Sequence, residues 1–167
     1  MAASGDPQSG PHCFLAESTL GKLAKWLRLL GFDTRYHSGP GFEKVAAVSE
    51  PQRIVLTRTQ ETARTLAGRP LIFIRENDPF EQVREVVTGL GLRKGDLRPF
   101  SRCLLCNRPT VPATREAVRG QVPDHVLQTA SRFTVCAGCR KVYWPGTHTE
   151  RAMDRIRLLF GAQAFGR

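Results

Sequence analysis

Four cysteines in two pairs, Cys103-x-x-Cys106 and Cys136-x-x-Cys139, with 29 residues between the pairs, carry the plainest chemistry in this chain of 167 residues. A Cys-x-x-Cys turn brings two thiolates to one metal, and two such turns complete the tetrahedral four-sulfur shell of a structural zinc ion, Zn²⁺. On this reading the metal holds together a small module with few apolar residues of its own. Two disulfides, or four buried thiols, are the competing readings. The paired spacing, the lack of a secretory signal and an odd fifth cysteine, Cys13, weigh against disulfides.

A second reactive set is acidic. In a parallel sheet, reactive groups gather in the loops that leave the C-terminal ends of the strands. Glu17 follows the apolar run 13–16 and Arg58 follows the run 53–57, while Glu43 and Glu50 lie on the intervening helical segment. Carboxylates gathered at such an edge bind Mg²⁺ or Mn²⁺, hard ions that activate water against a phosphodiester. A lone Glu before a helix is equally a first-turn charge favoured by the macrodipole.

Basic side chains flank both cysteine pairs. Arg102, Arg108, Arg132, Arg140 and Lys141 can grip phosphates without reading sequence. Tyr143 and Trp144 are adjacent on a short extended run, which puts one ring inward and leaves one to stack on an unpaired base. The net charge of +10 is unevenly spread: residues 1–97 hold 13 Lys/Arg against 11 Asp/Glu, and residues 98–167 hold 12 against 4. The cysteine-bearing half therefore carries the positive field, which attracts a polyanion such as nucleic acid.

The elements that must position these groups alternate. Leu20, Leu23, Ala24, Leu27 and Leu30 make one apolar helical face behind a Ser18 cap, with Lys22, Lys25 and Arg28 on the other face and Gly31 as the stop. Trp26 borders the apolar arc and is expected to pack in the core. An extended stretch at 34–36, a short helix at 42–49, a buried strand at 53–57, a Thr59-capped helix ending near Gly68, a strand at 70–74 and a helix opened by Asp78-Pro79 follow. Strand and helix in alternation give a parallel α/β sheet. After a lapse at 95–99 comes the cysteine module, with a strand at 141–144 and a closing helix at 149–160. No apolar run approaches the roughly 20 residues that span a bilayer, and no membrane partner is expected.

Four stretches in order resemble one family. Residues 14–33 (FLAESTLGKLAKWLRLLGFD) resemble the opening motif of the Mut-seven C-terminal RNase domain family, a PIN-like nuclease domain fused to a zinc ribbon. Residues 53–58 (RIVLTR) resemble its strand ending in Thr-Arg, residues 102–107 (RCLLCN) its first zinc knuckle, and residues 136–148, with Tyr143-Trp144 and Gly146-Thr147-His148, its second. The resemblance implies a metal-dependent ribonuclease with acidic residues at the strand ends. Carried over, it points to Glu17 where the family usually has Asp, to Asp33, to Glu43 as the nearest acid on the intervening helix, and to Arg58. The family's Thr-Arg-Asp ends here in Thr59, with Glu61 two residues on.

These readings give a fold of class α/β: a PIN-like three-layer domain on a parallel sheet at 13–97 after a flexible segment at 1–12, a small zinc ribbon at 98–148, and a C-terminal helix and tail at 149–167. The expected function is endoribonucleolytic cleavage of RNA with Glu17, Asp33, Glu43, Arg58 and Glu61 around a catalytic Mg²⁺ or Mn²⁺. Lys22, Lys25, Arg28, Arg102, Arg108, Arg140 and Lys141 would hold the RNA, in a cytoplasmic, reducing compartment. The alternative is a catalytically impaired RNA-binding or ribonucleoprotein-associated module, whose acidic site has lost a carboxylate at Thr59.

Overall fold

A computed structural model of the chain describes residues 12–161. The N-terminal segment expected to be flexible lies, apart from His12, outside the described residues, as does the tail from 162. The chain forms two compact units, one extending to Asn107 and the other starting at Arg108.

The first unit alternates strand and helix: β1 (Cys13–Ala16), α1 (Gly21–Leu29), β2 (Asp33–Tyr36), α2 (Phe42–Val48), β3 (Ile54–Thr57), α3 (Gln60–Thr65), β4 (Leu71–Phe73) and α4 (Pro79–Gly89). All pairings are parallel, in the order β2-β1-β3-β4, with Ala16 opposite both Tyr36 and Leu56. The chain steps outward from β1 to β2 and then returns to the far side of β1 for β3. The C-terminal ends of β1 and β3 thus lie side by side where the winding reverses, the place where open α/β sheets bind ligands.

Helices cover both faces of the sheet. On one side the apolar stripe of α1 is fully buried at Leu23 and Leu27, as its periodicity requires, and Phe14 meets Phe32 edge to face at 5.6 Å between ring centroids. Trp26 of α1 packs on Phe80 of α4, with centroids 5.4 Å apart. On the other side Leu15 and Val55 pack with Phe42 and Ala46 of α2 and with Leu66. This is the expected three-layer arrangement.

Local chemistry sets the ends. Asp78 accepts from the amides of Phe80 and Glu81, with Pro79 as first helical residue, so α4 starts as its sequence dictates. The expected Ser18 cap is replaced by a 3₁₀ turn, Ser18–Leu20, that delays α1 to Gly21. Thr59 stands at the cap position of α3, but its side chain accepts no capping bond from it. Gly31 (φ +98°) ends the first helical stretch in a conformation open to glycine, and a Cβ there would collide with the Arg98 carbonyl. The amides of Arg98 and Phe100 bond to the carbonyls of Leu30 and Leu29, which ties the connecting segment to α1.

The second unit is an antiparallel sheet of β5 (Thr110–Ala113), β6 (Phe133–Cys136) and β7 (Val142–Tyr143), with α5 (Asp124–Thr129) between β5 and β6 and α6 (Thr147–Phe160) at the end. It corrects the expectation of a module with few apolar residues of its own. Val118, Val122, Val126, Ala130, Phe133, Val135 and Val142 form a buried cluster against which Trp144 packs. Neither this cluster nor β5, β6 and α5 was among the sequence expectations. Among the described residues no helix is long and apolar enough to cross a membrane.

Candidate active site and metal centre

Glu17 leaves β1 at the reversal point, and its own amide bonds to the Leu56 carbonyl of β3 at 3.2 Å. Its side chain is only 4% exposed and turns toward β3. Oε2 accepts from Thr57 Oγ1 at 2.5 Å. Oε1 accepts from the Arg58 amide at 2.6 Å and from Thr19 Oγ1 at 2.9 Å. Thr59 Oγ1 lies 3.4 and 3.5 Å from the two oxygens, which explains why Thr59 does not cap α3. A buried carboxylate needs such donors, and here all of them are neutral.

Thr19 and Thr57 are the site residues that sequence reasoning missed, and Thr59, read there as a lost carboxylate and a helix cap, joins the site as a hydroxyl. In a Thr-Arg-Thr segment that leaves a strand, residues two apart return to the same side, a signal that could have placed both hydroxyls over the neighbouring strand end. Arg58 is where expected, its amide on Glu17 and its guanidinium on Asn77, with Nη2 donating to Oδ1 at 2.6 Å.

Among the described residues, Glu17, Asp33, Glu43 and Glu61 form no cluster of three or more disposed to hold a metal ion. Glu43 of α2 accepts from Thr62 Oγ1 of α3 at 2.5 Å, and that hydrogen bond holds its carboxyl below the ordinary value. Glu61 is exposed in the first turn of α3. Asp33 sits opposite Cys13 at the N-terminal edge of the sheet, the far end from Glu17, and belongs to a structural network rather than to the strand-end site. There the buried Arg53 donates to both Asp33 oxygens at 3.1 Å, to Glu50 Oε2 at 3.1 Å and to the Phe14 carbonyl at 3.0 Å. Burial pushes the Asp33 carboxyl up, but the bonds from Arg53 and Asn107 outweigh it and leave the group below its ordinary value.

A divalent ion at the strand ends would thus find one carboxylate and three hydroxyls. Mg²⁺ is held by one or two carboxylates together with substrate phosphates, so the donor set fits at its minimum, with a ligand's phosphate oxygens completing it.

The cysteines are better provided. Their four Sγ atoms lie within 4.8 Å of one another, and among the described residues they are the only group of three or more Cys, His, Asp or Glu side chains disposed to hold a metal ion. Tetrahedral zinc–sulfur bonds would set the sulfurs about 3.8 Å apart, a small contraction. The two turns share a geometry. In the first, Cys106 N points at Cys103 Sγ at 3.5 Å and Asn107 N donates to the Cys103 carbonyl at 3.0 Å. In the second, the amides of Gly138 and Cys139 point at Cys136 Sγ at 3.3 and 3.4 Å, and Arg140 N donates to the Cys136 carbonyl at 3.2 Å. Asn107 (φ +67°) and Arg140 (φ +63°) both close their turns in the left-handed region. Amides aimed at sulfur stabilise thiolates, the form that binds metal. This is a donor set for a structural metal ion.

The basic residues divide. Lys22, Lys25, Arg108, Arg140 and Lys141 are exposed. Arg28 and Arg102, expected to contact phosphates, are buried instead at 7% and 5% exposure. Arg28 donates to the carbonyls of Thr34, Leu104 and Leu105, each at 2.9 Å, and Arg102 to that of Asn107 at 2.8 Å. Both guanidiniums brace the backbone of the first cysteine turn, because five donors on one side chain can satisfy carbonyls that no strand pairs.

Comparison with known protein families gives a match over most of the chain. The profile of the family described as Mut7-C RNAse domain covers residues 12–156. No curated protein and no solved structure matches significantly.

Proposed function

The chain belongs to the Mut7-C RNAse domain family, and on that premise we propose that it is a metal-dependent endoribonuclease that cleaves RNA at the paired ends of β1 and β3, with a zinc-bound ribbon that holds the substrate. The observation that carries this reading is the position of Glu17, a buried carboxylate at the winding reversal of a parallel sheet. A Mg²⁺ or Mn²⁺ ion there would supply an activated water and offset charge on the scissile phosphate. Glu17 contributes the negative charge that attracts the ion, and Thr19, Thr57 and Thr59 fix the orientation of that carboxylate. Arg58, anchored through Asn77, supplies a positive charge for the phosphate. On the ribbon the exposed Arg108, Arg140 and Lys141 would bind the sugar-phosphate backbone, and the four cysteines would hold Zn²⁺. A reducing, cytoplasmic setting keeps those thiols available to metal.

A specific observation favours a second reading. Both Glu17 oxygens are already engaged by neutral donors, and among the described residues Glu17 belongs to no group of three or more side chains disposed to hold a metal ion. An RNA-binding protein without turnover would keep the fold and the charge and need nothing more. One assay separates the two: wild type and Glu17→Gln are incubated with single-stranded and structured RNA in Mn²⁺ or in chelator. Internal cleavage that requires Mn²⁺ and is lost in Glu17→Gln establishes the nuclease. RNA binding without cleavage establishes the binding module.

A further inference from the structure

A groove of about 700 Å³ runs along the same edge of the first unit, and its walls are bonded to Glu17. Thr19 lines it, and the same hydroxyl donates to Glu17; Arg58 lines it, and its amide donates to Glu17. Lys22 and Lys25, three residues apart and therefore on one face of α1, line it as well, and no carboxylate does. Tyr36, the last residue of β2, is 39% exposed and forms part of the same wall. Its ring is held at its hydroxyl end: the hydroxyl donates to the Ser18 carbonyl at 2.9 Å, and the ring lies so close to Gly21 that a Cβ there would come within 3.2 Å of Cζ. Asn77 holds the Arg58 guanidinium, and Gln82 Nε2 bonds the Glu76 carbonyl at 3.0 Å, which steadies the loop carrying Asn77.

From this arrangement we infer that the groove is a subsite for single-stranded RNA, in which an unpaired base next to the reacting phosphate stacks on Tyr36 while Lys22, Lys25 and Arg58 hold the flanking phosphates. The inference rests on the RNA-directed function proposed above and specifies the class of RNA. A pinned aromatic ring on a cationic track is the combination that binds single strands: the lysines follow the backbone, and the ring accepts any base through its π face. A base in a duplex is stacked on its neighbours and cannot offer that face. The groove therefore selects unpaired segments by shape and places the adjoining phosphodiester beside Glu17.

The test is equilibrium binding by fluorescence anisotropy, in chelator for the catalytic ion so that no cleavage occurs, with a labelled single-stranded 10-mer and a blunt duplex of the same sequence. Wild type should bind the single strand more tightly than the duplex. Lys22→Ala/Lys25→Ala should flatten the dependence of log K on log salt by about 1.4, the value for two phosphate contacts on a single strand. Tyr36→Leu should weaken single-strand binding on the order of tenfold with the salt slope unchanged. Tyr36→Phe keeps the ring and loses only the bond to Ser18, so its near-wild-type affinity separates stacking from any effect on folding. Groove variants that bind like wild type, or equal affinity of wild type for duplex and single strand, overturn the subsite while leaving RNA recognition in place. Failure of wild type to bind any RNA at low salt overturns the underlying reading as well.

Discussion

Asn107 Nδ2 donates to Asp33 Oδ1 at 2.7 Å, and Asn107 Oδ1 accepts the Thr34 amide at 2.9 Å. The residue that closes the first cysteine turn is thus bonded through its side chain to the first two residues of β2. A left-handed backbone and a reach for two partners are both met by asparagine, which tolerates that region better than most residues. The same carboxylate carries the buried Arg53, so one acid joins the first cysteine turn to the start of three neighbouring strands.

That placement makes Asp33 a determinant of acid stability. Its carboxyl titrates lower in the folded chain than the unfolded value of about 3.9, so its stabilising contribution is present above that pH and is lost as pH falls through the folded value. Urea midpoints measured from pH 7 down to pH 3 should decline on the acid side in wild type. In Asp33→Asn the protein should be less stable at pH 7 and its decline below about pH 4 should be shallower. Parallel curves for the two proteins would show that the network does not report through this carboxyl.

Metal removal should act on the cysteine turns first. A structural zinc site contributes its binding energy to folding, and ligand deprotonation makes that contribution pH-dependent. Elemental analysis is expected to give one zinc per chain, and a strong chelator should lower the thermal midpoint. Cys136→Ser should reproduce the chelator's effect, and chelator should then have little left to change. A zinc content far below one per chain would refute the assignment.

Thr59→Asp would add a second carboxylate beside the first, because Thr59 Oγ1 already lies 3.4 Å from Glu17 Oε2. Two like charges at that range repel unless a cation intervenes. The variant should therefore be less stable than wild type in chelator and should gain more thermal stability on addition of Mn²⁺. If the chain is a nuclease, the variant's Mn²⁺-dependent rate should exceed that of wild type. Thr57→Val isolates the opposite effect: it removes a fully buried donor to Glu17 and should cost about 1–3 kcal/mol in urea unfolding.

Gly31→Ala should destabilise by about 2 kcal/mol or more, since the new methyl group would be forced into both the left-handed region and the Arg98 carbonyl. A midpoint within experimental error of wild type would mean that the segment at 98–100 shifts at no cost.

Much of the first unit was legible because its signals are periodic. The leucines of α1 and the aliphatic run of β3 declared their elements, and the spacing of the cysteines announced their meeting. The strand-end site was only half legible. Glu17 could be found by its place after β1, but the threonines that surround it look like ordinary cap and strand residues, and their direction depends on two strands distant in sequence being neighbours. Arg28 and Arg102 misled for a related reason: a cation at a polar helical position or beside a cysteine reads as surface, and only the fold reveals unpaired carbonyls within its reach. In the second unit, Val118, Val122 and Val126 stand four residues apart, the spacing of one helical face, yet they belong to a turn, a loop and a short helix, so the period does not name the elements that carry the cluster.

The four-stranded sheet is electrically asymmetric along the direction of its strands. At the end where the strands begin, Asp33 and Glu50 are consumed by Arg53 and Arg35, and the charges cancel in place. At the end where they finish, one enclosed carboxylate faces three outward cations. The enclosed carboxylate and the cationic groove thus share one end of the sheet. On the proposed function, Lys22 and Lys25 would govern how tightly a polyanion is held and Glu17 whether a bond breaks, so affinity and turnover could be tuned, or lost, one without the other.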